Sequence, residues 1–175
     1  ISGNATDAMP NQPFSTGFGP TPDPDLVSML TTINSTSTVV NDGAFIEFDF
    51  VATGDSVAFN YIFASYEYAS YTCSSFNDPF GFFLTGAGIN GNPNVSTVNL
   101  AQVPNTNPPV PVAVNTLNQG FPSGAYPSST CQAANPNYQA SSAFYVNHTN
   151  ANMVNATGYS VPLRAKAQVV CGNTY

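Results

Sequence analysis

Between Ala44 and Val51 the apolar residues Ile46, Phe48 and Phe50 alternate with the acids Glu47 and Asp49. A period of two with one apolar and one charged face predicts a half-buried strand. The same period returns in Val57, Phe59, Tyr61 and Phe63, and the turn-forming Thr53-Gly54-Asp55 between the two runs predicts an antiparallel hairpin of 44–51 with 57–64. A polar loop carrying Glu67, Asn77 and Asp78 follows, and Phe80, Phe82 and Leu84 resume the alternation. Aromatic-rich runs of this kind bury well, so Val57 to Gly86 is the expected core, two strands with an acid-bearing loop between them. Exposed carboxylates and amides on such a loop suit an extracellular β domain that binds an ion or a partner.

Elsewhere the pattern is weaker. Short strands are expected over Val98 to Val103 and Val110 to Val114, and Pro104 and Pro108-Pro109 push them toward sheet edges. From Asn115 to Ala140 there is little periodicity, and a compact domain keeps so long a loop only when it is functional or pinned. Cys131 is a candidate pin. Strands are expected at Phe144 to Val146 and over Tyr159 to Val170, where Leu163, Ala165, Ala167 and Val169 alternate with Arg164, Lys166 and Gln168. Residues 1–25 hold five prolines and three glycines and read as an irregular lead-in. At its end Asp25 is placed to cap a helical turn that puts Leu26, Met29 and Leu30 on one face. The expected fold is all-β, an antiparallel, jelly-roll-like β-sandwich with long irregular loops, in a single domain over residues 1–175.

Charge narrows the partners. Only 6% of the 175 residues are charged, and two cations against nine acids give a net charge of −7. That balance excludes a phosphate-tracking surface, so nucleic acid is not the partner. It also disfavours anionic lipid, and no apolar run approaches the roughly 18–20 residues of a membrane span, so no membrane insertion is expected. A surface rich in Asn, Ser and Thr with few Lys and Glu matches the compositional habit of secreted or cell-surface domains. Cys73, Cys131 and Cys171 allow three pairings. Cys73 with Cys131 is the favoured one, which leaves Cys171 as a buried thiol or paired outside the chain; the alternative is three reduced cysteines that act as small hydrophobes.

The acids and aromatics offer three kinds of chemistry. Glu67, Asn77 and Asp78 present oxygens of the sort a calcium ion collects, with Asp23 and Asp25 as a second source. The alternative is turn chemistry, in which Asp78 before Pro79 accepts backbone N–H bonds. Tyr66, Tyr68 and Tyr71 form a possible stacking platform for sugar rings, against a core-packing reading. Catalysis is disfavoured. His148 is the only histidine and reads as a solvated loop residue, and the cysteines lack metal-site spacing. Glu47 and Asp49, roughly 7 Å apart by strand rise, could flank a glycosidic bond. They could equally lie on a solvated face or pair across strands with Arg164 and Lys166. Sequons at Asn4, Asn34, Asn94, Asn147 and Asn155 occur about as often as chance gives among 21 Asn and carry no argument.

The blocks IEFDFVATGDSVAFNYIFASYEY, FNDPFGFFLTGAGINGN, NLAQVPNTNPPVPV, VNTLNQG and LRAKAQVVCGNTY, in that order, resemble the choice-of-anchor L domain over roughly residues 15–175. The resemblance implies an exported domain of secreted or surface proteins, mostly of Bacteroidota and often attached by type IX secretion, without established enzyme activity. Two departures stand out. Tyr66-Glu67 occupies a place where the family usually has two acids, which weakens an ion site there. The family pattern also extends before the position of Ile1 and after that of Tyr175, which implies a domain lacking edge segments at both ends.

The resulting expectation is a non-catalytic extracellular structural or adhesive module that associates with other protein chains, among them copies of itself, as in a filament or surface layer. The alternative is a calcium-assisted, lectin-like domain with glycans as partners.

Overall fold

The computed structural model describes residues 19–21, 23–35, 39–148 and 156–175. Most of the expected lead-in and the sequons at Asn4 and Asn155 lie outside the described residues. Helix α1 (Pro24–Thr32) is capped by Asp23, not by Asp25. The Asp23 carboxylate accepts from the backbone N–H of Asp25 at 3.0 Å and of Leu26 at 2.9 Å. Pro24 fits the first helical position because its missing N–H would have no partner there. Met29 and Leu30 are the buried residues of the helix, and Leu30 packs with Ile33, Val40 and Ala113.

The C-terminal segment organises the largest ladder. Strand β1 (Ser56–Tyr61) pairs antiparallel with β7 (Leu163–Gln168), Ser56 opposite Gln168 and Tyr61 opposite Leu163. Just upstream, Phe50 and Tyr175 exchange both backbone N–H···O bonds at 2.9 Å. Residues 50–61 and 163–175 are thus two sides of one ribbon. Its register shifts by one residue, because Gly172 and Asn173 both oppose Ala52. Gly172 donates its N–H to the Ala52 carbonyl while the Ala52 N–H bonds that of Asn173. With φ at 87°, Gly172 occupies the left-handed first position of a G1-type bulge. Along β7 the expected alternation holds, with Leu163, Ala165 and Ala167 buried and Arg164, Lys166 and Gln168 exposed.

Two expectations for the preceding segment do not hold. Residues 50–52 and β1 do not face each other as a hairpin, since Thr53-Gly54-Asp55 fails to reverse the chain and both segments find their partners in 163–175. Nor is 44–51 a half-buried strand. Residues 44–49 lie beyond the last pair of the ribbon, make no backbone hydrogen bond among the described residues and leave Ile46 92% and Phe48 60% exposed.

Strands β3 (Phe83–Ala87) and β4 (Val95–Asn99) form a second antiparallel pair, which shares a core with β1 and β7. Leu84, Ala165, Ala167, Val169 and Tyr175 are buried there, and the rings of Phe59 and Phe82 lie 4.9 Å apart. Only glycine fits at Gly86, because a Cβ would run into the Tyr175 ring. The Tyr175 hydroxyl donates to the Ala87 carbonyl and accepts from the Val170 N–H, both at 2.8 Å.

A third sheet has the order β2-β6-β5, from β2 (Ala64–Ser65), β6 (Gly158–Ser160) and β5 (Tyr145–Asn147). The single run expected over 159–170 is therefore split at Val161-Pro162, where proline cannot donate to a ladder. A second core joins Phe63, Tyr68, Val103, Val112, Val114 and Leu117. Around it 110–114 is bonded on one side to 101–103 and on the other to 78–80. The described strands form three small antiparallel sheets of two, three and two strands rather than two large ones.

The segment 115–140 is indeed pinned. It contains the short helix α3 (Ser128–Ala134) and the first residues of α4 (Tyr138–Ser141), and Cys131 is bonded to Cys73. Buried amides do the rest. Asn118 donates to the Val114 carbonyl at 2.9 Å, and Asn135 donates to the Thr116 carbonyl at 2.7 Å and the Ser141 hydroxyl at 3.0 Å. A closed loop with a sequence separation of 58 restricts the unfolded chain by about 4 kcal/mol in the chain-entropy account. Cys171, by contrast, is free and exposed, not a buried thiol.

Candidate functional site

The loop acids are brought together by two small elements. Ser65, the last residue of β2, donates its hydroxyl to Asp78 Oδ2 at 2.8 Å and accepts the Glu67 N–H at 3.0 Å. Glu67 precedes helix α2 (Tyr68–Tyr71) with helical dihedrals and does not cap it. Its carboxyl instead lies beside that of Asp78, close enough for the two to perturb each other. Asp78 is held through its backbone as well, its carbonyl accepting the Val114 N–H at 3.2 Å.

Two carboxyls in contact cannot both ionise cheaply when water is excluded. Burial first, then the Asp78 charge, pushes Glu67 from 4.5 up to about 7. Burial also raises Asp78, although the Ser65 hydroxyl and the Glu67 carboxyl oppose the rise. Burial and proximity therefore both favour keeping a proton on Glu67 over charging both groups. Glu67 Oε2 is buried without a hydrogen-bond partner, and so is the Tyr68 hydroxyl.

Asn77, expected beside them as a ligand, points elsewhere. Its Oδ1 accepts the Asn115 N–H at 2.9 Å. Asn115 in turn accepts the Cys73 N–H at 2.7 Å and donates to the Ser74 carbonyl at 2.9 Å, tying the loop to the disulfide. A calcium ion takes six to eight oxygens. Glu67 and Asp78 supply carboxylates, but the Asn77 oxygen is already engaged and Ser65 faces Asp78 as a donor. Among the described residues no three of His, Cys, Asp and Glu cluster. Asp23 is likewise engaged, as the cap of α1.

The three tyrosines do not make a common platform. Tyr68 is fully buried, edge-on to Phe63 and Tyr145, whereas Tyr66 is exposed and Tyr71 lies edge-on to Phe76. Tyr61 does turn inward, stacked on Phe80 with centroids 5.1 Å apart, and burial pushes its hydroxyl up to about 12. Glu47 and Asp49 are exposed and do not meet the two cations, since Arg164 faces Asn60 and Lys166 faces Ala58. His148 is half-buried, its Nδ1 bonded to the Ala156 carbonyl at 2.7 Å, so it is not a solvated loop residue.

Sequence reasoning missed Ser65 and Asn115. Ser65 lies two residues before Glu67, but nothing in the pattern marks it as the bridge to Asp78. The cleft beside this region, lined by Asn34, Ser74, Asn77, Asn115 and Thr130, has a cavity volume of about 10 Å³. That is room for about one water, far below the roughly 300–1,000 Å³ of small-molecule sites.

Residues 1–175 match the family described as the choice-of-anchor L domain. No curated protein and no solved structure matches the chain.

Proposed function

Because the chain belongs to the choice-of-anchor L domain family, we propose that it is a non-catalytic binding module of a secreted or surface-exposed assembly, working by association with other protein chains. The family is one of surface- or secreted-protein modules and is not a known enzyme family. Among the described residues no helix is long and apolar enough to cross a membrane.

The observation that carries the reading is the amount of apolar side chain left in water. Phe45 is 79% and Ile46 92% exposed, and Phe48, Val51, Ile62, Phe76 and Phe121 are also exposed. Single exposed apolar residues are ordinary, but three within four consecutive positions of one extended segment are the composition of an interface. The carboxyl pair supports the same reading. It lies largely buried against structural loops, with Asp78 bonded to Ser65, in the manner of a packing element and not of a group presented to substrate.

Sedimentation velocity over a range of concentrations tests the proposal. Reversible association that grows with concentration and weakens when Ile46 and Phe48 are made polar is the expected result. A monodisperse monomer at the highest concentration would overturn it.

A further inference from the structure

The outer edge of β7 carries a more specific inference, which rests on the association just proposed. Val169 donates its N–H to the Asp55 carbonyl, so in this register Leu163, Ala165, Ala167 and Val169 turn their N–H and C=O toward β1. Arg164, Lys166 and Gln168 therefore turn theirs to the opposite edge. That lane is closed at both ends by the chain itself. At one end, where β5 runs beside β6, the Val161 N–H reaches the Phe144 carbonyl at 2.9 Å. Upstream of β5 the chain curls into a short 3-10 helix (Ser142–Phe144) and leaves the lane. At the other end Asn90 Oδ1 accepts the Gln168 N–H at 3.2 Å. Between these stops the outward N–H groups are those of Arg164 and Lys166, and neither has a partner among the described residues.

The same two residues are the only Lys and Arg of the chain, against nine acids. Their side chains are exposed on the outer face of the ribbon and stand opposite Asn60 and Ala58, not opposite an acid. Ala165 and Ala167, which alternate with them, are buried in the first core. We infer that this gap is a docking lane for an extended segment of a partner protein with the pattern acid, apolar, acid, laid antiparallel beside β7. Its acids stand opposite Arg164 and Lys166 at the two-residue spacing that a strand imposes. The apolar residue between them lies beside Ala165, on the core side. The main chain supplies affinity and the alternate side chains supply specificity, as in strand addition generally. Lys and Arg on an edge strand also guard it against unselective pairing. The two roles agree, because a basic edge rejects a second β7 by like charge and admits an acidic strand. On the ribbon's other edge the outward residues of β1, Ser56, Ala58 and Asn60, carry no charge and offer no such selection.

The test uses the intact chain and two synthetic hexapeptides, one alternating Val with Glu and one alternating Val with Lys. Hydrogen exchange read by NMR should show the Glu peptide slowing the amides of Arg164 and Lys166 roughly tenfold once the lane is filled, with the Lys peptide without effect. Methylating the Glu nitrogens of the first peptide, which face β7, should abolish the protection. Methylating its Val nitrogens, which face away, should leave it. R164E with K166E should transfer the preference to the Lys peptide. The methylated peptides leave the protein untouched, so they decide the matter even where that charge reversal impairs folding. Equal protection by both peptides, protection by neither, protection confined to Ser56, Ala58 and Asn60, or binding indifferent to the place of the methyl groups would overturn the assignment. Exchange at Arg164 and Lys166 that is already slow in the chain alone and quickens on dilution would do so as well, by naming a second copy as the occupant. The two readings fail separately. Self-association in sedimentation with Arg164 and Lys166 unprotected by the Glu peptide sinks this lane and leaves the association reading standing, whereas a monomer that takes the Glu peptide there does the reverse.

Discussion

Replacing Glu67 by glutamine isolates the carboxyl pair. In the native protein burial and the neighbouring Asp78 raise Glu67 from 4.5 to about 7. Such a difference corresponds to roughly 3 kcal/mol between protonation states. The side chain is only partly withdrawn from water, so screening reduces the effective figure to about 1–2 kcal/mol. The sign follows from proton uptake. Below about pH 4.5 native and unfolded chains both hold the Glu67 proton, and its contribution to stability is at its ceiling. Between about 4.5 and 7 the unfolded chain has released the proton while the native chain still holds it, so stability falls as pH rises. Above about 7 both are ionised and the loss is complete. Asp78, also raised by burial, acts in the same direction.

The glutamine amide can stay beside Asp78 without titrating. Wild-type stability should therefore drop by about 1–2 kcal/mol from pH 4.5 to 7.5, and E67Q should lose most of that slope. At pH 7.5 the variant should be the more stable, by about 2–8 °C in Tm for a chain of this size. Urea and thermal unfolding followed by circular dichroism, with the disulfide intact and in about 0.3 M salt to screen the net charge, would measure it. E47Q removes the same charge from an exposed position and should keep the wild-type slope. A wild-type stability that climbs through this window, or an E67Q slope equal to that of E47Q, would refute the reasoning.

Two further substitutions probe the core and the ribbon. Tyr68→Phe removes a buried hydroxyl that has no partner, so stability should stay level or rise by up to about 1 kcal/mol; a loss above about 1 kcal/mol in urea unfolding would mean that the hydroxyl is bonded. Gly172→Ala puts a side chain at a φ of 87° with nothing within 4 Å of the new Cβ, so its cost is purely conformational, about 1–2 kcal/mol. No loss on chemical denaturation would show that the bulge adopts another conformation.

Local periodicity was a reliable guide wherever a strand had a partner. β7 alternates buried and exposed as its sequence predicts, and Val57, Phe59 and Tyr61 share the inward face of β1. It was a poor guide to pairing. The pattern over 44–51 is as regular as that of β7, yet what buries a strand is the ladder and layer beside it, and among the described residues the ladder reaches only to Phe50. The loops were least legible, because Asn115, Asn118 and Asn135 hold 115–140 through single amide bonds that leave no repeat in the sequence. The site shows the same limit. Glu67 and Asp78 do come together, but the direction taken by Asn77 depends on Asn115, which is distant in sequence.

The ribbon also dictates an order of events during synthesis. Phe50 has its partner in Tyr175 and Ser56 in Gln168, so the first core cannot close until residues 163–175 are available. Pairings this remote make for high contact order and slow folding. A nascent chain therefore carries 50–61 without its partner until 163–175 has been made, and is open to aggregation over that interval. Residues 163–175 act as the closing stroke. Substitutions there should govern the yield of folded domain more strongly than equally conservative changes in α1, which packs mainly with residues no farther along the chain than Ala134.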